Sequence, residues 1–354
     1  MRRVTVSRSC AAVLLTVGVA SGVAIVRAAV AAPALVPAVA AWIDALVPEQ
    51  RARALRPMDD QRRTDWHFIP KFERKGLSLR EMNPAQQRLA MEVLRSVVSQ
   101  SGYEKSAAIM QLDEILRIIE AEKAKNIRDP ERYFFTIFGT PVAQGCWALS
   151  VEGHHLSLNF VIRDGRIVDS TPQFMGASPA QVKTTFAGLP GTGTRVLRDE
   201  EEVAFELVGS LDAVQRAKAL IATEPPKEIR AAGAPQPPSE PAVGIGFAEL
   251  SAGQRQILRR LIDAYGGSMM ADVAAERLAL IEAADGGPAG RGWDAVRFAW
   301  AGSLKPGIGH SYRVEGPTFV IECVNVQPDA EGNPANHIHC VWRDKTGDFD
   351  LPAK

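Results

Sequence analysis

Near its C-terminus the chain reads N-H-I-H-C-V-W-R-D, from Asn336 to Asp344, and so places two of its six histidines two residues apart. Strand side chains alternate between faces, so His337 and His339 share a side with Val341 and Arg343. Asn336, Ile338, Cys340 and Trp342 take the opposite, mostly apolar side. Two imidazoles on one side of a strand suit a divalent metal ion. Residues 155–159 repeat the pattern, with His155, Ser157 and Asn159 on one face. In 318–324, Glu322 lies opposite Phe319, Ile321 and Cys323. These faces define a predicted site for one divalent metal ion held by His155, His337 and His339. Glu322 is the fourth ligand or the base that activates water, and Arg313 and Arg343 orient an anionic substrate. Ser157, Asn159 and Asn336 complete the substrate wall.

The same residues leave other readings open. His-x-His is a partial ligand set, so a metal-free polar site or a hydrogen-bonded structural pair is equally compatible with it. His154, facing away from His155, reads as a satisfied histidine on an apolar face. Arg313 and Arg343 could form ion pairs with Glu315, Glu322 or Asp344. His67 and His310 read as loop residues, either rimming a pocket or lying on plain surface. Other chemistries lack their signatures: there is no G-x-S-x-G, H-E-x-x-H or C-x-x-C, and Gly191-Thr192-Gly193-Thr194 lacks the Walker lysine.

The elements that must carry these residues can be read from periodicity and punctuation. Asn83 and Pro84 open a helix with the stripe Leu89, Val93, Leu94, Val97 and Val98. A second helix is expected over 106–125. Strands follow at 133–138, 146–151 and 155–162, and Asp164-Gly165 makes a hairpin turn into 166–170. The acidic run 199–202 starts a helix reaching 221. Residues 224–241, rich in Pro and Ala, read as a surface linker.

Beyond the linker the order begins again. The stripe Ile257, Leu258, Leu261 and Ile262 echoes the first helix, and 271–284 echoes the second. Gly139 and Gly153 stand fourteen residues apart, as do Gly302 and Gly316, and each second Gly follows Val-Glu. This spacing predicts an internal duplication in which Asn159 corresponds to Glu322. The expected fold class is α+β: helix–helix followed by antiparallel strands, twice, the halves packed as one compact unit. The divisions are 1–31 signal peptide, 32–225 first repeat, 226–244 linker and 245–354 second repeat.

Bulk properties set the outer limits. The 354 residues are 46% hydrophobic, enough for a sizeable core. Lys and Arg number 41 against 41 Asp and Glu, and that balance argues against nucleic acid as a partner. Met1-Arg2-Arg3, an uncharged apolar run from Cys10 to Val26, and Ala29-Val30-Ala31 make a signal peptide cleaved near Ala31, so the protein is expected in the periplasm or outside the cell. The competing reading is an N-terminal membrane anchor. No partner membrane is expected after cleavage, and oligomeric state is not readable. In an oxidising compartment, Cys146, Cys323 and Cys340 suggest one disulfide and one free thiol.

Several motifs carry a resemblance to a known family. They are Trp66-His67-Phe68-Ile69-Pro70, Arg74-Lys75-Gly76-Leu77, Phe138-Gly139-Thr140-Pro141, Gly153-His154-His155, the segment from Arg313 to Glu322, and Asn336-His337-Ile338-His339 with Trp342-Arg343-Asp344. In these the chain resembles the uncharacterised, mostly exported "domain of unknown function 3500" family over nearly all of its mature length. The resemblance implies a shared fold and a shared site, without an activity to transfer. Ser311 stands where the family tends to have Tyr, Cys146 and Cys323 are atypical, and the tail ends where relatives often continue to another His. The expected function is thus an exported protein with a His/Glu/Arg site, read as a metal-dependent hydrolase of a small extracytoplasmic substrate. The alternative is a non-catalytic ligand-binding or scaffold protein using the same pocket.

Overall fold

The computed structural model describes residues 35–352 except 72, 122–125 and 330. The predicted signal peptide and the last residues of the helix expected at 106–125 lie outside the described residues.

Asn83 caps a helix as its side chain requires: Oδ1 accepts from the Ala85 and Gln86 amides at 2.9 and 3.0 Å, and Gln86 Oε1 accepts from the Asn83 amide at 2.9 Å. This is the third helix of the first half, which runs α1 (Leu35–Ala45), α2 (Pro48–Ala54), β1 (Leu55–Arg56), β2 (Leu77–Ser78), α3 (Pro84–Arg95) and α4 (Gln100–Glu120). The strands β3 (Phe134–Phe138), β4 (Cys146–Gly153), β5 (Leu156–Arg163), β6 (Arg166–Asp169) and β7 (Gln173–Ala177) complete it. The turn between β5 and β6 has Asp164 and Gly165 at φ 51° and 74°, the left-handed pair of a tight hairpin.

The second half repeats the order with α5 (Arg198–Ser210), α6 (Ala213–Ala219), β8 (Leu220–Ala222), β9 (Ile245–Gly246), α7 (Ala252–Gly266) and α8 (Ala271–Ala283). Then come β10 (Arg297–Gly302), β11 (His310–Glu315), β12 (Phe319–Asn325) and β13 (Ile338–Asp344). All thirteen strands form one sheet in the order β1-β3-β4-β5-β7-β13-β12-β11-β10-β8, with β2 beside β3, β6 beside β5 and β9 beside β10. β7 and β13 pair antiparallel at the centre and join the halves into one α+β unit.

The halves agree in detail. β1 lies parallel to β3 with Leu55 opposite Ile137, and β8 lies parallel to β10 with Leu220 opposite Trp300. The Gln50 and Gln86 amides bond each other, as do those of Gln215 and Gln254. Each pair also reaches the preceding helix: Gln86 donates to the Ala45 carbonyl at 2.7 Å and Gln254 to that of Ser210 at 2.9 Å. Arg53 pairs with Glu81, and Lys218 with Glu249.

This correspondence corrects the predicted boundaries. The segment α5–α6–β8, assigned to the end of the first repeat, stands at the head of the second, so a second repeat starting at residue 245 begins too late. The helix expected from 199 to 221 is two helices. Leu211 is extended, and Asp212 caps a new helix by accepting from the Gln215 amide at 2.9 Å.

The helices cover one face of the sheet, and the apolar alternation decides which. Leu156, Leu158, Phe160, Phe319, Ile321, Cys323, Ile338, Cys340 and Trp342 all point into that larger core. The other face is covered by the two long connections, β1 to β2 and β8 to β9. Trp66 and Phe68 from the first, Ile229 from the second and Phe349 from the C-terminal turn pack there on Phe174, Val324 and Val341. Burying a side chain such as Phe68 contributes about 1.5–3 kcal/mol. Residues 226–244 are therefore no free surface linker. Ala234 O accepts from Trp66 Nε1 at 2.7 Å, and Arg343 donates to Ala231 O and Ala234 O at 3.2 and 2.9 Å.

The three described cysteines are free thiols rather than one disulfide and one thiol: Cys146 is exposed, and Cys323 and Cys340 are buried register partners on neighbouring strands. No described helix is long and apolar enough to cross a membrane.

Candidate metal centre

Three of the predicted residues meet. His155 Nε2 lies 2.7 Å from His337 Nε2, which lies 3.0 Å from His339 Nε2, and one ligand atom from each lies within 4.8 Å of the others. The site occupies the central sheet face that the connections cover.

Each histidine is positioned by a separate local device. His155 is not the first residue of a strand, as expected, but the second residue of the β4–β5 turn, at φ 61°. Its amide donates to Phe68 O at 2.9 Å, and its carbonyl accepts from Gly176 N at 2.8 Å. His154 does not face away from His155 as expected: the two ring centroids lie 3.8 Å apart. Its Nδ1 lies 2.5 Å from Asp113 Oδ1, and Arg128 Nη1 stands 3.2 Å from its Nε2. His339 pairs with Gly176 across β13 and β7. A Cβ on Gly176 would stand 3.0 Å from His155 Cδ2 and 3.1 Å from His339 Cδ2, so glycine leaves the space in which the two rings converge. His337 precedes β13, its amide donating to Asn325 Oδ1 at 3.1 Å. The Phe68 ring, stacked on Phe174 at 3.8 Å, presses on His339 from the side.

A carboxylate behind the histidines comes from an unexpected place. Both carboxylate oxygens of Glu228 lie 2.9 Å from His339 Nδ1. Glu228 belongs to the segment read as a linker, and that reading concealed it. The available signal was Lys227-Glu228-Ile229-Arg230, a charged stretch with one apolar residue, inside the Pro/Ala run.

The remaining predicted residues do other work. Glu322 accepts from the Arg230 amide at 2.7 Å and from Arg230 Nε, while Arg230 also binds Glu315. The Glu322 carboxylate is paired with Arg230 and is not among the groups whose ligand atoms converge at the histidines. Burial raises its pKa, and Arg230 opposes that rise. Arg343 donates to Asp348 at 2.5 Å and to the Ala231 and Ala234 carbonyls, so its guanidinium is engaged within the protein. Ser157 and Asn159 bond each other at 3.3 Å, and Asn159 donates to Pro172 O at 3.1 Å. Asn336 ties Gln181 to Asp329. His310 is fully buried, stacked on Trp300 rather than in a loop. Among the predicted polar partners, Arg313 and Glu322 line one open cavity and Asn336 lines another.

Electrostatics keep the His155 and His337 imidazoles neutral. Burial, followed by the charges of neighbouring histidines, lowers His155 far below the usual histidine range and His337 to about 2. The unfolded chain takes up these protons near pH 6.5, whereas the folded chain does not. Stability from these groups is thus complete above that value and declines as pH falls toward the folded values. For chelator-treated protein we expect the melting temperature to drop steadily from pH 7 to pH 5. Each histidine contributes up to about 1.4 kcal/mol per pH unit. Thermal melts of His337→Gln should show a shallower pH slope than wild type; equal slopes would contradict this account.

An imidazole nitrogen carries one in-plane lone pair or one proton, never both. His337 Nε2 therefore cannot bond well to two neighbouring Nε2 atoms. Three lone pairs around one ion satisfy all three nitrogens. His337 Nε2 stands 2.7 and 3.0 Å from its two neighbours and the three ligand atoms lie within 4.8 Å of one another, a span from which three imidazoles could converge on one ion. His339, with Nδ1 on Glu228 and Nε2 toward the cluster, has the carboxylate–histidine arrangement that orients metal-ligating imidazoles.

The fold and site define an α+β protein with a buried three-histidine cluster backed by a carboxylate. The chain belongs to the family described as protein of unknown function (DUF3500), whose model matches residues 28–351. No curated protein and no solved structure matches it.

Proposed function

We propose that this is an exported metalloprotein in which His155, His337 and His339 hold one divalent ion, and that it acts as a hydrolase on a small substrate. The convergence of three imidazole Nε2 atoms carries the reading. An ion held by three imidazoles with a position left open supplies Lewis acidity for attack of water on a carbonyl or phosphoryl group. Glu228 holds His339 in the ligating tautomer. Export is supported by the charged start and apolar run up to Val26, and the family match begins just after them, at residue 28.

The test is titration of chelator-stripped, untagged protein with zinc, manganese and cobalt, read by elemental analysis and by hydrolysis of 4-nitrophenyl acetate. One equivalent bound, with turnover appearing on metal addition, is the expected result. No stoichiometric metal overturns the reading. Metal without turnover removes the hydrolase and leaves a ligand-binding metalloprotein. Glu228→Gln should retain the fold and weaken metal binding about 10- to 100-fold, as measured by competition with a chromophoric chelator.

A further inference from the structure

The duplication places the same pocket in the molecule twice, and only one copy is open. The offset that carries Gly153 onto Gly316 and Ile137 onto Trp300 also carries Phe138 onto Ala301, Ala148 onto Ser311, Ser150 onto Arg313 and Asn159 onto Glu322. Strand pairing agrees: Phe138 faces Ala148 as Ala301 faces Ser311, and Ser150 faces Asn159 as Arg313 faces Glu322. In the first half the position is closed. Phe138, Ala148 and Val161 pack together, Phe349 enters from the C-terminal turn, and no room remains for a water molecule. In the second half, where Ala301 replaces the phenyl ring, there is a cavity of about 320 Å³, within the size range of small-molecule sites.

Charge in the open copy is unevenly matched. Arg230 is engaged by Glu315 and Glu322, Glu228 faces His339, and Glu224 lies exposed at the rim. The guanidinium of Arg313, half-buried on the cavity wall, has no hydrogen-bond or ion-pair partner among the described residues. Burial, and then Arg230, disfavours its charge more than Glu315 and Glu322 support it. A guanidinium on a mostly apolar wall matches one carboxylate or phosphate carried on a small apolar body.

We propose that the cavity beneath Ala301 binds a small organic anion, its carboxylate or phosphate held by Arg313. Glu228 forms part of the same wall, so this cavity delivers the ligand beside the histidine centre; that placement as substrate rests on the hydrolase reading, whereas the binding does not.

The experiment is isothermal titration of the full protein with benzoate, hexanoate and phenyl phosphate at millimolar concentrations. Wild type is compared with Arg313→Ala and with Ala301→Phe, which rebuilds the closed copy. At least one probe should bind wild type, and the preferred one distinguishes a carboxylate from a phosphate ligand. Both variants should weaken it at least about 10-fold. Circular dichroism melts and metal content are read on the same samples. Should Ala301→Phe misfold, Arg313→Ala and Arg313→Lys decide, with lysine restoring part of the affinity. The proposal is overturned if no probe binds folded wild type, or if binding survives Arg313→Ala. Anion binding without metal would sink the metal reading alone; metal without anion binding would sink this one alone.

Discussion

Replacing His339 with alanine will lower zinc affinity by at least about 100-fold and leave the protein folded. The size follows from geometry. A second-sphere partner is worth 10- to 100-fold in metal affinity, and a direct ligand is worth more. His339 also transmits the hold of Glu228, so the variant removes a ligand and its orienting carboxylate together. Folding should survive because the ring lies among Phe68, Phe174 and Gly176 at the edge of the smaller apolar cluster, while the larger core lies across the sheet. Isothermal titration of chelator-stripped protein, with a thermal melt of the same sample, checks both parts. Unchanged zinc affinity would rule out the three-histidine centre. A collapse of the melt would assign His339 to the structure of the sheet instead.

The second large effect concerns stability. Arg277, on α8, reaches through the core to donate to Asp344 and, at 2.5 Å, to Asp169; all three are buried. Burial works against the guanidinium's charge, but the two carboxylates outweigh it and raise its pKa. Asp169 also accepts from Thr171 Oγ1 at 2.8 Å and from the Asp350 amide at 2.9 Å, so the network ties the second half's helix to the first half's strands and to the C-terminal turn. Arg277→Met leaves two buried carboxylates without a cation, a loss of about 3–5 kcal/mol. The melting temperature should fall by roughly 5–15 °C. Adding Asp169→Asn and Asp344→Asn should recover part of the loss, because the penalty lies in the unpaired charges. A single variant that melts with wild type would show that the network contributes nothing. The same network holds Asp344 at the end of β13, one residue beyond Arg343, and so helps fix the strand that presents His339.

Local signals were read correctly where they were sufficient. Strand alternation assigned His337, His339 and Glu322 to one face and Cys323 and Cys340 to the other, since a period of two is a property of the strand itself. Asn83 as cap, Asp164-Gly165 as hairpin and the repeated spacing of Gly139–Gly153 and Gly302–Gly316 are equally local. Local signals run out where a longer-range partner decides. Glu322 shares the histidine face yet is claimed by Arg230 from ninety-two residues away. Arg343 looked like a substrate contact and is an internal clamp.

From sequence alone come the α+β class, the duplication, the family and the three histidines, because periodicity, capping and motif spacing are written in neighbouring residues. Only the tertiary structure decided that residues 226–244 are pinned to the sheet through Ile229, Ala231 and Ala234. It also supplied Glu228 as the carboxylate at the site, moved the start of the second half forward to α5, and left open one of two equivalent pockets. Each of these depends on which side chains from distant segments fill the same space: a Pro/Ala stretch has no periodicity to reveal its contacts, and Ala301 opens a cavity only because no other residue enters to take the place that Phe138 fills in the first half.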